Sequence, residues 1–427
     1  LGHIVRDEKS NEGKRCSIKS SQKMSVHERH IQLQKFKTLQ NRVVASLRKD
    51  KKRMTDEALK NGMDPWKVAD RALARKRPRN DLPLVVDEQA ITDDYEKAQL
   101  MNAYFITKIK GLQERIDAER SSDPLQKLRK KFSSRRHTFA FRKISSKEVE
   151  KIMRQMKKSQ SCGVDGISSE MIRSVIKTIA PALTEVINRS LEEGIFPKIY
   201  KCAKIIPIFK NKGAKSDPCN YRPISNLSLF GKCQEIVVDI QLREYCEKYG
   251  LFGVHQHGFR RSRSTSTALL TAVTRWRTDR KKTYRAALLF DLSAAYDVLS
   301  KELLIEKARI IGITGKAIEW IRSYLSNRTQ VVQINEARSQ QVNNDIGTPQ
   351  GSSISCLLFA LFVGDIEMWV SCTITAYADD TFATIEANTL TELKEKIESE
   401  GEKVLRFFAS NGMVANPSKT GLLVFRP

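Results

Sequence analysis

Tyr377-Ala378-Asp379-Asp380 constrains this chain most, because two adjacent acids directly follow an apolar run. Adjacent like charges are costly where water is scarce, since each raises the other's pKa. A bound divalent cation removes that cost, because its own charge dominates the local field. Thr373-Ile374-Thr375-Ala376 precedes the pair and Thr381-Phe382-Ala383-Thr384-Ile385 follows it, so both flanks read as strands. Joined at the acids, they predict a hairpin with both carboxylates at its tip. An ordinary acidic turn fits the same four residues, so the doublet needs a third carboxylate elsewhere.

Ala287-Leu288-Leu289-Phe290-Asp291 supplies it. The apolar run stops at an acid, as a buried strand does when its last residue emerges at a site. Asp291 and the doublet are then expected side by side at the ends of neighbouring strands. Magnesium takes oxygen ligands, commonly one or two carboxylates plus substrate phosphates. Two such ions ~3.5–4 Å apart activate an attacking hydroxyl and stabilise the leaving oxygen of an in-line phosphoryl transfer. Asp297 competes with Asp291, but its place after Tyr296 reads as a cap or turn acid before the next helix.

These residues carry a resemblance. Phe290-Asp291 through Tyr296-Asp297, then Gly347-Thr348-Pro349-Gln350-Gly351-Ser352, then Tyr377-Ala378-Asp379-Asp380 stand in reverse-transcriptase order. Gly163-Val164-Asp165-Gly166-Ile167, Asn220-Tyr221-Arg222-Pro223-Ile224-Ser225, His257-Gly258-Phe259-Arg260 with Ser264-Thr265, and Asn416-Pro417-Ser418-Lys419-Thr420 extend it. The chain resembles the reverse transcriptase of a non-long-terminal-repeat (LINE-type) retrotransposon over about residues 140–427. Cys356 stands where that family usually has proline, a packing position.

The resemblance implies an α+β, right-hand polymerase of fingers and palm, with an antiparallel, RNA-recognition-like palm sheet packed on helices. It implies RNA-directed DNA polymerisation from dNTPs onto a primer 3′-hydroxyl, with two Mg²⁺ ions that Mn²⁺ can replace. An RNA template, a DNA primer or target site and dNTPs are the implied partners. An element-encoded endonuclease is expected on another part of the polyprotein, so the sequence reads as a fragment without endonuclease and thumb. Two other readings remain: a group II intron maturase-like reverse transcriptase, and an inactive RNA-binding remnant.

Charge agrees with a polyanionic partner. The chain carries +26 over 427 residues, which bears on association rather than fold. Residues 1–142 hold 34 Lys/Arg against 19 Asp/Glu, a net of +15, leaving +11 for the other 285. The tracts at 48–53 and 75–79 suit phosphate contact or nuclear import, or a solvated linker. Eight scattered cysteines include no Cys-x-x-Cys pair. With no signal peptide they read as reduced thiols of an intracellular protein, expected in the nucleus and in cytoplasmic ribonucleoprotein. His27 and His30 have no partner ligands nearby and read as solvated. No apolar run approaches ~20 residues, so no membrane span is expected.

Domain boundaries are expected as follows: a basic, disordered or loosely helical linker over 1–80, a helical N-terminal extension over 81–142, fingers with the start of the palm over 143–284, and palm over 285–427. Ser145 with Glu148 makes a capping box, and Pro181 is expected to start a helix. Strands are expected at 202–209, 285–291, 329–335, 341–346 and 421–425, and helices at 91–112, 227–249, 264–280, 300–325, 354–368 and 389–411.

By resemblance, Asp291 and Asp379 bridge the metals, the Leu292 carbonyl adds a ligand, and Asp380 supports them. Tyr296 lies where the family places an aromatic beneath the incoming sugar; ordinary packing is its alternative. Gln350 and Gly351 form the nucleotide-side turn, Gly351 permitting close backbone approach, or merely a turn that opens a helix. Arg222 suits the triphosphate because guanidinium binds phosphate bidentately. Lys210, Lys212 and Lys215 lie in the preceding loop. Lys419 is the candidate general acid toward pyrophosphate, or a surface lysine. Arg260, Arg261 and Arg263 are the template contacts, or a solvated loop, and Phe259 is expected to pack.

Overall fold

The computed structural model describes residues 84–425 apart from 87–88, 120–122, 135–136, 278–282 and 345, and before them only positions 34, 38, 53, 56 and 57. His27, His30 and the basic tracts, Arg53 excepted, lie outside the described residues. The chain divides into Leu1–Asp81 and Leu82–Pro427; the fold below is that of the second unit.

Strands β1 (Val85–Val86) and β2 (Gln89–Ala90) pair ahead of helices α1 (Asp94–Glu119) and α2 (Gln126–Lys131). Then come α3 (Ser146–Gln155), α4 (Ile176–Glu193), β3 (Cys202–Phe209), β4 (Tyr221–Asn226), α5 (Leu229–Lys248) and α6 (Thr265–Arg277). β5 (Tyr284–Phe290) leads to α7 (Lys301–Ile310), α8 (Gly315–Leu325), β6 (Thr329–Ile334), β7 (Ala337–Arg338) and β8 (Val342–Asn343). The remaining elements are α9 (Ser355–Val363), β9 (Thr373–Tyr377), β10 (Asp380–Ala387), α10 (Leu390–Ser410) and β11 (Gly421–Phe425). The fold is α+β.

Two sheets organise it. The first has the order β11-β5-β10-β9 and is antiparallel throughout. Its strand order is that of the split β-α-β-β-α-β motif, with α7, α8, β6–β8 and α9 all lying in the connection from β5 to β9 and α10 in that from β10 to β11. Side chains explain the packing: Ala286 and Ala287 of β5 are fully buried, and a methyl on Gly401 of α10 would lie 3.2 Å from Leu288. Small residues let that helix sit close on the strand.

The second sheet has the order β4-β3-β6-β7, with β8 also on β6, and β3 runs parallel to β6. Because β6, β7 and β8 come from beyond residue 285, the break expected there does not separate the sheets. Asn102 of α1, almost fully buried, donates to Ser339 Oγ (2.9 Å) and the Gln340 carbonyl (3.0 Å) and accepts from Gln330 (2.8 Å). That amide locks α1 to the second sheet.

Several local expectations meet their physical limits here. The Ser145–Glu148 capping box is present. The sequence reading assigns no strand at β4, and a proline such as Pro223 cannot donate to a ladder. Yet β4 is an edge strand in which Pro223 faces Pro207, and Pro207 lies past the β3–β6 ladder, which ends at Ile205. Pro181 does not start a helix; turns fill 169–175, α4 begins at Ile176, and the proline sits inside it. The helix expected to 368 stops at Val363, followed by a separate 3₁₀ turn, Ile366–Met368. At this break Asp365 is buried against Lys307 at 2.6 Å, both side chains 2% exposed. Burial pulls the Lys307 ammonium below its ordinary pKa, with Asp365 acting in opposition.

Among the described residues no helix is long and apolar enough to cross a membrane, and the seven described cysteines are free thiols.

Candidate active site

Asp291 follows β5 directly, and its neighbourhood is pinned by backbone. Asn416 N–H donates to the Asp291 carbonyl (2.8 Å), Ser293 N–H donates to the Val414 carbonyl (2.9 Å), and Leu292 bridges Ala415. The same returning segment brings Lys419, whose Nζ donates to Asp291 Oδ2 at 2.9 Å.

The acidic hairpin stands on the adjacent strand. Tyr377 pairs with Asp380, leaving Ala378 and Asp379 as the two loop residues. Ala378 has φ 59°, and a positive φ at the first central residue alone is the II′ pattern that favours glycine. An alanine there carries about 1 kcal/mol of strain. Packing holds it: His257 N–H donates to the Ala376 carbonyl (2.7 Å), Ala376 N–H donates to the His255 carbonyl (3.1 Å), and Gln256 bridges Ala376. Gly258 completes the contact, since a methyl there would sit 2.2 Å from the Ala378 nitrogen.

Burial raises the Asp379 carboxyl above the ordinary aspartate range, and the charges of Asp380 and Asp291 raise it further, while its own backbone amide and Lys419 pull it down. The three acids therefore share one electrostatic neighbourhood. Among the described residues no three His, Cys, Asp or Glu side chains already converge as a closed ligand set, and Lys419 takes one oxygen of Asp291. The donor chemistry, mutually repelling carboxylates beside the Leu292 backbone, suits a hard cation.

Tyr296 is partly buried. Its ring packs on Phe359 with centroids 4.6 Å apart, and its hydroxyl is buried without a hydrogen-bond partner among the described residues. Burial, then Cys356 and Asp379, push that hydroxyl's pKa upward. Thr348 N–H donates to the Tyr296 carbonyl (2.8 Å), and a methyl on Gly347 would meet the Asp297 carbonyl at 2.3 Å. Gln350 Nε2 donates to Asp297 Oδ2 (2.7 Å), and the Gln350 carbonyl accepts from Ser225 N–H (2.9 Å). Gly351, φ 108°, would drive a methyl to 2.7 Å from the Ser225 carbonyl. Its close backbone approach is thus to β4.

Asp297 lies in a turn before α7, as the turn half of its reading expects, and Ser300 rather than Asp297 caps the helix. Burial pushes Asp297 to about 6, against the Gln350 hydrogen bond and the charge of Lys108. A folded-state value above that of a free aspartate favours folding below about pH 4, and this contribution is lost as the pH climbs through 6. Asp297→Asn keeps an acceptor for Gln350 and is expected to raise Tm by a few degrees at pH 7.5, about 1–3 kcal/mol. At pH 4 thermal melts of variant and wild type should coincide; an equal gain at both pH values would contradict the assignment.

Lys419 is the basic group beside the acids, and further basic groups lie near Lys210. Lys210 donates to the Cys219 carbonyl (2.6 Å); burial lowers its pKa most, with Lys108, Arg222 and Lys419 adding to the effect and Cys219 opposing it. Lys108, on α1, escaped the sequence reading, since only the fold brings that helix toward Asp297 and Lys210. Arg222 is exposed on β4, Lys212 is exposed in the loop, and Lys215 lies over the Phe209 ring at 5.8 Å.

The arginine loop is more engaged than expected. Arg260 grips Glu247 through two hydrogen bonds (3.0 and 2.7 Å) and donates to the Gly253 carbonyl (3.0 Å). Arg263 donates to the Val254 and Gln256 carbonyls at 2.8 and 3.3 Å. Arg261 is exposed. Phe259, expected to pack, is 36% exposed with φ 59°, and its carbonyl accepts from Arg243.

The reverse transcriptase (RNA-dependent DNA polymerase) family matches residues 210–424. A putative 115 kDa protein of a type-1 retrotransposable element of Drosophila melanogaster is 26% identical over 293 residues, 65% of this chain and 27% of that protein. The RNA-directed DNA polymerase from mobile element jockey of the same organism is 25% identical over 256 residues, 58% of this chain and 28% of the relative. The probable RNA-directed DNA polymerase from transposon X-element, also of Drosophila melanogaster, is 26% identical over 246 residues, 56% and 27%. The chain spans about a quarter of the length of these relatives.

Proposed function

From the premise that this chain belongs to the reverse transcriptase family, we propose that it polymerises DNA on an RNA template as part of a non-long-terminal-repeat retrotransposon. The single observation that carries the reading is the register that sets Thr381 opposite Phe290, so that Asp291 and Asp380 stand at the ends of adjacent strands with Asp379 in the turn beside them. The antiparallel sheet with α10 is read as palm, and the second sheet with its helices as fingers.

Asp291 and Asp379 would hold two Mg²⁺ ions, with Asp380 and the Leu292 carbonyl in support, and Mn²⁺ would substitute. Bound there, the ions lower the pKa of a primer 3′-hydroxyl and stabilise the charge on a leaving oxygen. The chain's own residues bind and orient. Lys419 neutralises Asp291 in the free protein and would pass to the triphosphate, where a protonated ammonium can donate to the departing pyrophosphate. Arg222 and Lys210 present further cations to the same polyanion. Tyr296, held by Phe359, would lie beneath the sugar and exclude a 2′-hydroxyl. Gln350 and Gly351 would border the base-paired nucleotide. Arg261 would meet the template backbone, with Arg260 and Arg263 holding its loop.

The test is primer extension on an RNA template with dNTPs and Mg²⁺, paired with filter binding of the same template. Extension supports the polymerase; RNA retention with no extension by the unaltered chain would leave only an RNA-binding protein.

A further inference from the structure

We propose that Glu235 is the positioning residue for the nucleotide-side turn of 349–353. This deepens the polymerase reading and rests on it. Glu235 sits on α5 and is 1% exposed. Its Oε2 accepts from Ser353 N–H (2.9 Å) and from Ser352 Oγ (3.0 Å), and its Oε1 accepts from the Tyr324 hydroxyl (3.3 Å). The Tyr324 and Ser352 hydroxyls lie 2.6 Å apart, so when one gives its hydrogen to the other, the other donates to Glu235. Burial raises the Glu235 carboxyl; the charge of Arg328 and the two serine donors oppose it.

A buried carboxyl is costly unless donors surround it. Here Ser353 N–H donates, together with a hydroxyl of the Ser352–Tyr324 pair, and Ser352 and Ser353 directly follow Gly351. The turn is tied at its other end too, through Ser225 N–H to the Gln350 carbonyl and Gln350 Nε2 to Asp297. Glu235 therefore fixes one side of a short loop whose other side carries Gln350 beside Tyr296. Two tethers define its orientation; one leaves it free to pivot.

Glu235→Gln replaces one acceptor oxygen by an NH₂ group facing donors. Steady-state extension should show the KM for dTTP rising about tenfold, with kcat changed less than about threefold. A peptide covering 349–355 should lose about tenfold or more in amide-exchange protection. Val238→Ala, on the same helix and fully buried, should lower Tm while leaving KM and the exchange of that peptide unmoved. If Glu235→Gln fails to fold, Ser352→Ala removes one donor without burying a new group, and should shift KM and exchange in the same direction. Wild-type KM and exchange in the Glu235 or Ser352 variant would overturn the inference. So would an equal KM shift in Val238→Ala. If the unaltered chain extends no primer, the polymerase reading fails, while the exchange of 349–355 still decides whether Glu235 holds the turn.

Discussion

Asparagine in place of Asp379 is expected to lower Mg²⁺-dependent extension on RNA by at least ~10³-fold while leaving the fold intact or slightly more stable. The two outcomes come from one cause. Asp379 is held in a half-buried turn where burial and two neighbouring carboxylates oppose its charge. Asparagine keeps the shape and removes the repulsion, so thermal melts should show an unchanged or higher Tm. The same change removes an anionic ligand from the position where positive charge must be held. Lost activity with a falling Tm would indicate damage to the hairpin instead. Retained extension would remove Asp379 from the mechanism.

Gly258→Ala should be nearly as damaging, for a steric reason. The added methyl would lie 2.2 Å from the Ala378 nitrogen and 3.0 Å from its Cα. Both are backbone atoms, so neither can swing aside like a side chain. Ala378 already occupies a positive φ, and Asp379 is the next residue. The hairpin must therefore shift bodily away from the 255–258 segment, carrying the carboxylate with it. Overpacking of this kind costs about 1–3 kcal/mol and occasionally more, and a displacement near 1 Å at a reacting group costs ~10²-fold in rate. Extension kinetics and thermal melts should both fall. Gly421→Ala is the matched control: nothing lies within 4 Å of its added methyl, and both measurements should stay near wild type.

What the sequence makes legible is what depends on neighbours in the chain. The strands Cys202–Phe209 and Gly421–Phe425 and the Ser145 cap follow from alternation and capping chemistry. The acids also read directly, because a charge that ends an apolar run needs a reason. The failures are tertiary. β4 hides behind Pro223, whose lack of a donor matters little on an edge strand opposite another proline. Asp297 reads as a cap or turn acid and does lie in a turn, but its partner Gln350, 53 residues away, gives no sign in the sequence. Gly258 and Gly347 belong to recognisable motifs, yet the reason for glycine is the backbone of Ala378 in one case and of Tyr296–Asp297 in the other. Lys108 and Glu235 give no local signal; each is an ordinary charged residue on a helix until the fold aims it. Arg260 is the converse, a basic residue in a nucleic-acid motif that the fold commits largely to Glu247.

Titration with Mn²⁺, followed by electron paramagnetic resonance of the free ion in the presence of dTTP, reaches the central claim without depending on turnover. Saturable binding by the wild-type chain, weakened at least about tenfold by Asp291→Asn and again by Asp379→Asn, is the predicted result. Equal Mn²⁺ affinity in wild type and both variants would mean that these carboxylates do not share a cation, and would contradict the account.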